Sequence, residues 1–470
     1  MTLRASVCVA LSVYAAGSVC AEDVERGPGL RVIGANAASS GVRDKDLDAA
    51  LNISALPPKL RQRLKRELRI HEISSAAPES AGTASTGGVL SREHNDAAVS
   101  HRYLLTDLGT LGGTESFAYA INDHGQIVGL ARLSGDTSTH SFLYSNGTMT
   151  DLSPLNSGSI QTVGPTGINN SGQVASGLVV AGVYVPSIFD SASGDVELLG
   201  SLGGVTDFGF SGVATSISNS GDAVGYSYTD TTNRHAFLYS NGLMTDIGSL
   251  GGYSAALGIN DVGTIVGFSA TETSAGRAHA FIYSSGLMRD IDPFVGEFSE
   301  SYAHGVNKLG QVVGQYLVQD QSSHHAFLFS DGTFRDIGVP GSPETVAFAI
   351  NDRAQIAGVT LVPYEDVCFD PTQGGSVPCT EYVQHAFLYE AGGLVDLTAS
   401  IPADSGWELA WAFDINNDGQ IVGYGSVNDK FRAFVLTPAI SRDQCKKGAW
   451  KEFVGFNSQG DCVQFVTIGR

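Results

Sequence analysis

One five-residue pattern, Ile-Asn-x-x-Gly with small variations, occurs seven times along this 470-residue chain. The first six copies begin 42 to 49 residues apart, and the seventh follows after 65 residues. The copies begin at Ile121, Ile168, Ile217, Ile259, Val306, Ile350 and Ile415. A repeat of this length is typical of propeller blades, which bury their apolar faces only against neighbouring blades.

Each repeat unit divides into four short segments, which we call strands A to D. Strand A ends at the Ile-Asn pair, and strand B follows the turn, as in residues 126–129. Strand C has the form His-Ala-Phe-Leu-Tyr at residues 235–239, and strand D follows at residues 243–248. Asn-Gly, Asp-Gly and Ser-Gly pairs in the short connections favour tight hairpins, because these residues adopt positive φ at low cost. The pattern predicts an all-β fold.

The strand count also predicts how the ring closes. A D-type segment at residues 103–109 precedes the first strand A, whereas the seventh unit ends after its strand C at residues 432–436. We expect the N-terminal segment to complete the last blade of a seven-bladed β-propeller spanning residues 101–438. A closed ring leaves no long unpaired strand edge.

The strings at residues 235–239, 279–283, 325–329 and 385–389 resemble the HAF family of extracellular repeats of bacterial secreted proteins. The resemblance extends to the Asp-Leu-Gly-Thr-Leu-Gly-Gly string at residues 107–113 and covers roughly residues 103–438. Unit two departs from it, with Pro186-Ser187-Ile188-Phe189, and unit seven has Arg432 in place of histidine. The resemblance implies export and a repeat fold, and it implies no reaction.

Residues 1–21 have the form of a secretory signal peptide, with Arg4, an apolar run at residues 7–16 and small residues before the expected cleavage after Ala21. The run is too short to span a bilayer, and we expect no transmembrane segment in the mature chain. Lipidation of Cys20 is an alternative. The sequence therefore predicts a secreted, extracellular protein.

Residues 22–100 are predicted to form an N-terminal segment of mobile linkers and one short helix. At residues 58–70, leucines recur every fourth position among basic residues, which indicates a basic amphipathic helix. We expect its leucines to pack on the propeller; the helix could also dock on the acidic ring, on anionic lipid or on another chain.

Four cysteines remain after the predicted cleavage, and export favours disulfides. Three connectivities are possible; we expect the local one, which joins Cys368 to Cys379 and Cys445 to Cys462. Zinc is disfavoured because neither pair has a CxxC spacing. Residues 439–470 resemble a two-cysteine module that ends many secreted bacterial proteins, and this resemblance supports the Cys445–Cys462 pair.

A histidine in strand C and an aspartate in strand D recur from blade to blade. A ring of metal ligands is one interpretation, but a residue repeated in every blade more often solves a packing problem that all blades share. We expect each histidine to hydrogen-bond a nearby aspartate or backbone group, and we predict no metal and no cofactor. The positions are His140, His235, His279, His325 and His385, with Asp107, Asp151, Asp246, Asp290, Asp336 and Asp396.

Residues 414–419 match the beginning of a calcium-binding loop, whose alternating side-chain oxygens surround the ion. The same residues form the ordinary turn of the repeat, and the twelfth position is Gly425 where such loops have glutamate. Calcium binding is therefore only an alternative.

Charge and motifs narrow the function. Residues 101–438 contain 10 Lys and Arg against 34 Asp and Glu, a net charge of 10 minus 34, or −24. Such a surface repels phosphate backbones, so we expect no nucleic-acid partner. Nucleophile-elbow, zincin, phosphate-loop and dinucleotide motifs are not found in the sequence, which weighs against an enzyme without excluding one.

Ligand-binding residues are expected where the repeat is broken, because variable loops on a rigid scaffold usually carry binding. The B–C and D–A connections share one face of a propeller, and the longest lie at residues 360–384 and 398–409. They and their surroundings contain the candidate residues Tyr364, Phe369, Tyr382, Trp407 and Trp411. Such aromatics stack on sugar rings or anchor a protein partner, although packing of the insertion against the rim would equally explain them.

The prediction is therefore an exported module that binds a carbohydrate or a protein. Two alternatives stay open. One is an enzyme that acts on an extracellular polysaccharide with carboxylates dispersed around the central channel. The other is a structural surface protein.

Overall fold

A computed structural model describes residues 102–152, 160–180, 183–206, 209–272, 277–292, 300–318, 323–370 and 375–468. The expected signal peptide and basic helix lie outside these residues. The described part contains seven four-stranded antiparallel sheets, one for each repeat unit. The predicted all-β, seven-bladed β-propeller is thus confirmed.

Blades 1 to 6 each contain four consecutive strands, and blade 7 contains the last three strands together with the first. The strands of blades 1 and 2 are β2 (Gly112–Ile121), β3 (Ile127–Leu133), β4 (Thr139–Ser145), β5 (Thr148–Asp151), β6 (Ile160–Ile168), β7 (Gln173–Val180), β8 (Val183–Asp190) and β9 (Val196–Leu198). Those of blades 3 and 4 are β10 (Gly212–Ile217), β11 (Ala223–Tyr228), β12 (Arg234–Ser240), β13 (Leu243–Gly248), β14 (Gly251–Ile259), β15 (Ile265–Thr271), β16 (Ala278–Ser284) and β17 (Leu287–Asp290).

Blades 5 and 6 contain β18 (Ser301–Val306), β19 (Val312–Leu317), β20 (His324–Ser330), β21 (Thr333–Asp336), β22 (Thr345–Ile350), β23 (Ile356–Asp370), β24 (Gly375–Glu390) and β25 (Gly393–Asp396). Blade 7 contains β26 (Glu408–Ile415), β27 (Ile421–Val427), β28 (Lys430–Pro438) and β1 (Tyr103–Asp107). Residues 363–381 of the long β23–β24 hairpin belong to a second compact unit.

The helical elements are short. Three-ten helices span Ser134–Asp136, Thr398–Ser400, Ala403–Ser405 and Arg442–Glu452, and one α-helix, α1, spans Gln459–Ile468. A disulfide joins Cys445 to Cys462 in this C-terminal module, as expected. In the described part of the chain, no helix is both long and apolar enough to cross a membrane.

The buried phenylalanine of strand C requires a glycine at the facing position of strand B. The six phenylalanines of strand C are fully buried: Phe142, Phe237, Phe281, Phe327, Phe387 and Phe434. A Cβ atom on Gly129 would overlap the carbonyl oxygen of Phe117 in strand A and crowd the Phe142 ring. The same overlap occurs in blade 3, at Gly225, with the carbonyl oxygen of Val213. Glycine is therefore required where strand A and the phenylalanine ring both press on strand B.

The N-terminal strand closes the ring as predicted. β1 pairs antiparallel with β28, from Tyr103 opposite Pro438 to Asp107 opposite Phe434. Leu104 is fully buried against the C-terminal module, and Leu105 is fully buried in the core of blade 7. The first strand therefore holds together the seventh blade and the C-terminal module.

Side chains also link the blades at the A–B turns. The Nδ2 atom of Asn122 donates to the carbonyl of Asn169 in the next blade at 2.8 Å, and its Oδ1 atom accepts two backbone N–H groups of its own turn. Equivalent bonds of 2.8 to 3.1 Å are Asn169 to Ser218, Asn260 to Asn307, Asn307 to Asn351, Asn351 to Asn416 and Asn416 to Asn122. We call this set the asparagine ring. Ser218 interrupts it because its hydroxyl bonds within its own turn.

Replacement of Leu105 by alanine tests the closure. We expect the free energy of unfolding to fall by about 2–5 kcal/mol, because the substitution removes a fully buried leucine of β1 from the core of blade 7. The matched control is Leu243→Ala, at a leucine that is 66% exposed, with an expected change within about 0.5 kcal/mol. Chemical denaturation gives both values. If deletion of residues 103–109 left the melting temperature unchanged, the closure would be wrong.

The asparagine ring predicts two reciprocal substitutions. Asn307→Ser should lower the free energy of unfolding by about 1–3 kcal/mol, because it leaves buried backbone groups without partners. Ser218→Asn should raise it by about 0.5–2 kcal/mol, because it restores the residue found at the other six turns. Urea denaturation of both variants measures the effects. A loss of stability in Ser218→Asn would contradict the role given to the ring.

Candidate functional site

The two ends of the propeller differ in regularity. The A–B turns at one end repeat the same hydrogen bonds from blade to blade. The B–C and D–A connections lie at the other end, which we call the variable-loop face. Two aromatic clusters lie at this face, one in blades 2 to 4 and one in blades 6, 7 and 1.

A column of stacked aromatic rings crosses from blade 2 to blade 3. Tyr184, near the start of β8, stacks on Phe210 with ring centroids 4.9 Å apart and an angle of 22° between the planes. Phe210 is in turn nearly parallel to Tyr226, at 6.4 Å, and Tyr228 meets both rings edge-on. Tyr184, Phe210 and Tyr228 are half-buried, so the column is partly accessible to solvent.

Arg234 continues this column toward blade 4. Its guanidinium carbon lies 4.5 Å from the ring centroid of Tyr226, and 5.8 Å from those of Tyr253 and Phe268. These distances are typical of cation–π contacts. Among the residues that the structure describes, no carboxylate forms an ion pair with Arg234, and its side chain is half-buried. We call this set of residues the aromatic column. It consists of Arg234 and five aromatic residues: Tyr184, Phe210, Tyr226, Tyr228 and Tyr253.

A polar network lies beside the column. The hydroxyl of Tyr302 donates to Glu300 at 2.6 Å, and Arg277 forms an ion pair with the other Glu300 oxygen at 3.0 Å. Burial, together with the negative charge of Glu300, raises the pKa of Tyr302 well above its usual value. Burial also raises the pKa of Tyr226. Both hydroxyls therefore stay protonated over the physiological pH range, and that of Tyr302 is already donated to Glu300.

The second cluster contains Trp411, one of the predicted site residues. Trp411 stacks on Phe348, Phe413 and Tyr424, with centroid distances of 5.5, 5.4 and 6.2 Å. Its indole N–H is buried and has no hydrogen-bond partner among the described residues. The exposed member of this cluster is Phe431, at 38%.

The other predicted aromatics differ in burial. Trp407 is 5% exposed and packs edge-on against Phe434 in the core of blade 7, so its ring does not reach the surface. Tyr364 and Tyr382 are exposed, at 41% and 46%. The side chain of Phe369 lies outside the described part of the chain. A ligand site formed by these residues stays a prediction.

Cys379 is disulfide-bonded. The side chain of its expected partner, Cys368, lies outside the described part of the chain. The Cys368–Cys379 bond therefore stays a prediction.

The repeated histidines pair with the repeated aspartates, as expected. In blade 1, the Nδ1 atom of His140 lies 2.8 Å from Asp151, which joins strand C to strand D. The same contact occurs between His235 and Asp246, His279 and Asp290, His325 and Asp336, and His385 and Asp396, at 2.7 to 3.0 Å. In blade 7, Arg432 takes the place of histidine and pairs with Asp107 at 3.1 Å. These pairs are structural links between neighbouring strands.

The oxygens of the possible calcium loop bind backbone groups of the protein itself. Asp414 accepts the N–H of Ile121 at 2.9 Å and that of Ile415 at 2.8 Å. Asn416 accepts two N–H groups of its own turn. Within the described ranges, no group of three His, Cys, Asp or Glu residues is placed to hold a metal ion.

The sequence reasoning missed the aromatic column because its members come from five different strands and connections. One signal was available. The residue before the strand C histidine varies from unit to unit, with Thr139, Arg234, Ala278, His324 and Gln384. A single arginine at this variable position marks blade 3 as different.

Comparisons with known proteins give only structural likenesses at low identity. No protein-family model matches the chain, and no curated protein matches it in sequence. Acylaminoacyl peptidase of Pyrococcus horikoshii is similar to it in structure, with 9% identity and a TM-score of 0.39, over 70% of this chain and 53% of the peptidase. A puromycin-hydrolyzing peptidase of Mycobacterium tuberculosis has 10% identity and a TM-score of 0.41, over 67% of this chain and 49% of that one.

TolB from Acinetobacter baumannii is also similar in structure. It has 12% identity and a TM-score of 0.34, over 64% of this chain and 76% of TolB. The present chain spans about half the length of the two peptidases. Likenesses at such low identities and TM-scores carry no argument about its activity.

The His385–Asp396 pair predicts a pH dependence of stability. The hydrogen bond to Asp396 raises the pKa of His385 above 6.5 in the folded protein, although burial opposes it. A histidine with a raised pKa in the folded state stabilises the fold. This contribution is fully present below the pKa of the unfolded chain, about 6.5, and is lost as the pH rises through the pKa of the folded protein. The variant His385→Gln keeps a donor to Asp396 but cannot be charged.

Urea denaturation of both proteins at pH 5.5 and 8.5 measures this contribution. We expect the wild type to exceed His385→Gln in free energy of unfolding by about 1 kcal/mol more at the lower pH. A difference that was equal at both pH values, or larger at pH 8.5, would show that the pair is not charged.

Proposed function

We propose that the protein is an exported HAF-type repeat propeller that binds a carbohydrate at its variable-loop face. The observation that supports this function most directly is the aromatic column. Its rings Tyr184, Phe210 and Tyr228 are half-buried and partly accessible to solvent. Beside them, Arg234 lies over the rings of Tyr226 and Tyr253 and has no carboxylate partner among the described residues. Flat rings stack on the apolar faces of sugars, and a guanidinium donates to hydroxyl groups in one plane. Tyrosine and arginine are also the residue types that dominate binding hot spots.

The position of the column in the fold also supports binding. Arg234 is the first residue of β12, Tyr228 is the last of β11, and Phe210 lies just before β10. The strand ends hold these side chains in place, while the connections beside them vary between units. A rigid scaffold of this kind reduces the entropy that binding must overcome.

A neutral glycan fits the charge of the molecule better than an acidic one. The propeller carries a net charge of −24 over residues 101–438. Such a charge opposes the approach of acidic polymers. Tyr364 and Tyr382 are exposed and stay candidates for the same ligand class, and a protein ligand would be an outcome of the experiment below.

The alternative of an enzyme on extracellular polysaccharide has less support. Glycoside hydrolysis commonly needs two carboxylates about 5–10 Å apart around one bond. In the central channel, Asp414 accepts two backbone N–H groups. The aspartates at the A–B turns, Asp123, Asp261 and Asp352, accept backbone N–H groups of a neighbouring blade. The repeated aspartates of strand D are engaged with histidines.

A glycan array on the secreted protein, with analysis of products, tests the proposal. We expect binding of a neutral glycan without turnover, and a loss of affinity of about tenfold or more in Tyr228→Ala and Arg234→Ala. The matched control is Arg289→Ala, at an exposed arginine of β17, which should bind as the wild type does. Turnover of the glycan would support the enzyme, and undiminished binding by both variants would exclude the aromatic column.

A further inference from the structure

One position of strand A lines the central channel in all seven blades and is small in six of them. The residue before the Ile-Asn pair is Ala120, Gly167, Ser216, Gly258, Gly305 or Ala349, and in blade 7 it is Asp414. The inner strands approach closely here, since a Cβ atom on Gly258 would lie 2.9 Å from the carbonyl oxygen of His304. A carboxylate at this position is a departure from the repeat inside the channel itself.

These residues surround a cavity of about 190 Å³, which we call the inner cavity. A second cavity of about 170 Å³, the outer cavity, lies at the A–B turns. Five aliphatic side chains line both cavities, so the two follow one another along the channel: Ile168, Ile217, Ile259, Val306 and Ile350. The inner cavity therefore adjoins the outer cavity, on the side of the asparagine ring.

His304 is a second unusual residue in the wall of the inner cavity. It is 5% exposed, and neither of its ring nitrogens has a hydrogen-bond partner among the described residues. Burial lowers the pKa of His304 to about 3, so the ring is neutral and one nitrogen carries a free lone pair. A buried polar group without a partner is costly unless something else in the cavity satisfies it.

The rest of the wall combines aromatic and aliphatic residues with the hydroxyl residues Thr166, Thr215 and Ser216. Leu257, Phe348 and Phe413 line the inner cavity, and neither lysine nor arginine does so among the described residues. Burial raises the pKa of Asp414 to about 6, and the nearby Asp123 adds to this effect. The cavity is thus lined by a carboxylate without a lysine or arginine beside it, an imidazole acceptor, three hydroxyl residues and two phenylalanines.

The outer cavity, which adjoins the inner one, also favours a cation over an anion. The outer cavity is lined by Asp123, Asp261 and Asp352, against the single cation Lys308. Anions are therefore disfavoured along the path. A bound metal ion is also disfavoured, because no group of three metal-ligating side chains occurs within the described part of the chain.

We propose that the inner cavity binds a small organic ammonium ion, with its nitrogen on Asp414 and its alkyl part on Phe348 and Phe413. The ammonium group donates one hydrogen bond to the Asp414 carboxylate and another to His304. The aromatic rings stabilise the cation through their negative faces. This site is separate from the aromatic column and does not depend on the carbohydrate proposal.

Titration calorimetry with n-butylammonium chloride tests the site, with n-butanol as the neutral probe of the same size. We expect one saturable site for butylammonium and binding of butanol at least about tenfold weaker, because the alcohol lacks the charge. Equal binding of the two probes, or no saturable binding of butylammonium, would overturn the proposal. Displacement of butylammonium by calcium chloride at matched ionic strength would also overturn it, in favour of a metal site.

Two substitutions of Asp414 locate the ion. Asp414→Asn keeps an acceptor for the Ile121 N–H, and Asp414→Ala introduces the residue that blades 1 and 6 have at this position. Both should weaken butylammonium binding by about tenfold or more. The matched control is Asp331→Asn in an exposed C–D turn where Asn146 and Asn241 stand in blades 1 and 3, and it should change the affinity by less than about twofold.

A further substitution covers the case in which the Asp414 variants do not fold. His304→Leu introduces the residue that blade 4 has at the equivalent position, Leu257. It should retain the fold and weaken butylammonium binding several-fold. Binding as tight as that of the wild type in His304→Leu, or in a folded Asp414→Asn, would show that the ion is not held in the inner cavity.

Discussion

The asparagine ring is the interaction on which the rest of the propeller depends. Each asparagine of the ring uses its amide to bind the backbone of the next blade and its carbonyl to hold its own turn. Because these groups are buried, an unmade bond would cost more than a made bond contributes. The ring therefore fixes both the A–B turns and the angle between neighbouring blades, and it leaves the opposite face free to vary.

The contrast between the regular A–B turns and the variable-loop face explains why the residues that recur from blade to blade carry the least information about function. The histidines and aspartates of strands C and D recur because every blade must join its outer strands. Two residues depart from the repeat in one blade each. Arg234 in blade 3 lies over aromatic rings, and Asp414 in blade 7 stands where the other six blades have Ala, Gly or Ser. A repeat scaffold supplies stability many times over, so a departure at one blade can serve binding at a small cost to the whole.

Much of the fold could be predicted from the sequence because its rules are local. The repeat length, the turn residues and the missing seventh strand D together specify seven blades and their closure. Burial of Trp407 could not be predicted, because it depends on how the D–A connection of blade 7 folds back on Phe434. The aromatic column could not be predicted either, since Tyr184, Phe210 and Tyr253 meet only after three blades have packed. Asp414 stood out in the sequence only as the first residue of a turn for which calcium binding was an alternative, and its place in the wall of the channel depends on the packing of all seven blades.

The pairing of β1 with β28, which closes the ring, includes an ion pair that differs from those of the other blades. Five blades join strands C and D by a histidine and an aspartate. The aspartate raises the pKa of His279 and of His385, so these two links weaken when the histidine loses its proton. Blade 7 joins two segments that are more than three hundred residues apart in sequence, and there Arg432 replaces histidine opposite Asp107. Arginine keeps its charge at every physiological pH, so this link does not depend on protonation. The residue that departs from the repeat thus lies where the ring closes. In the other blades a short turn joins strand C directly to strand D, whereas β1 is held on β28 by non-covalent contacts, so loss of the pair would weaken blade 7 more than another blade.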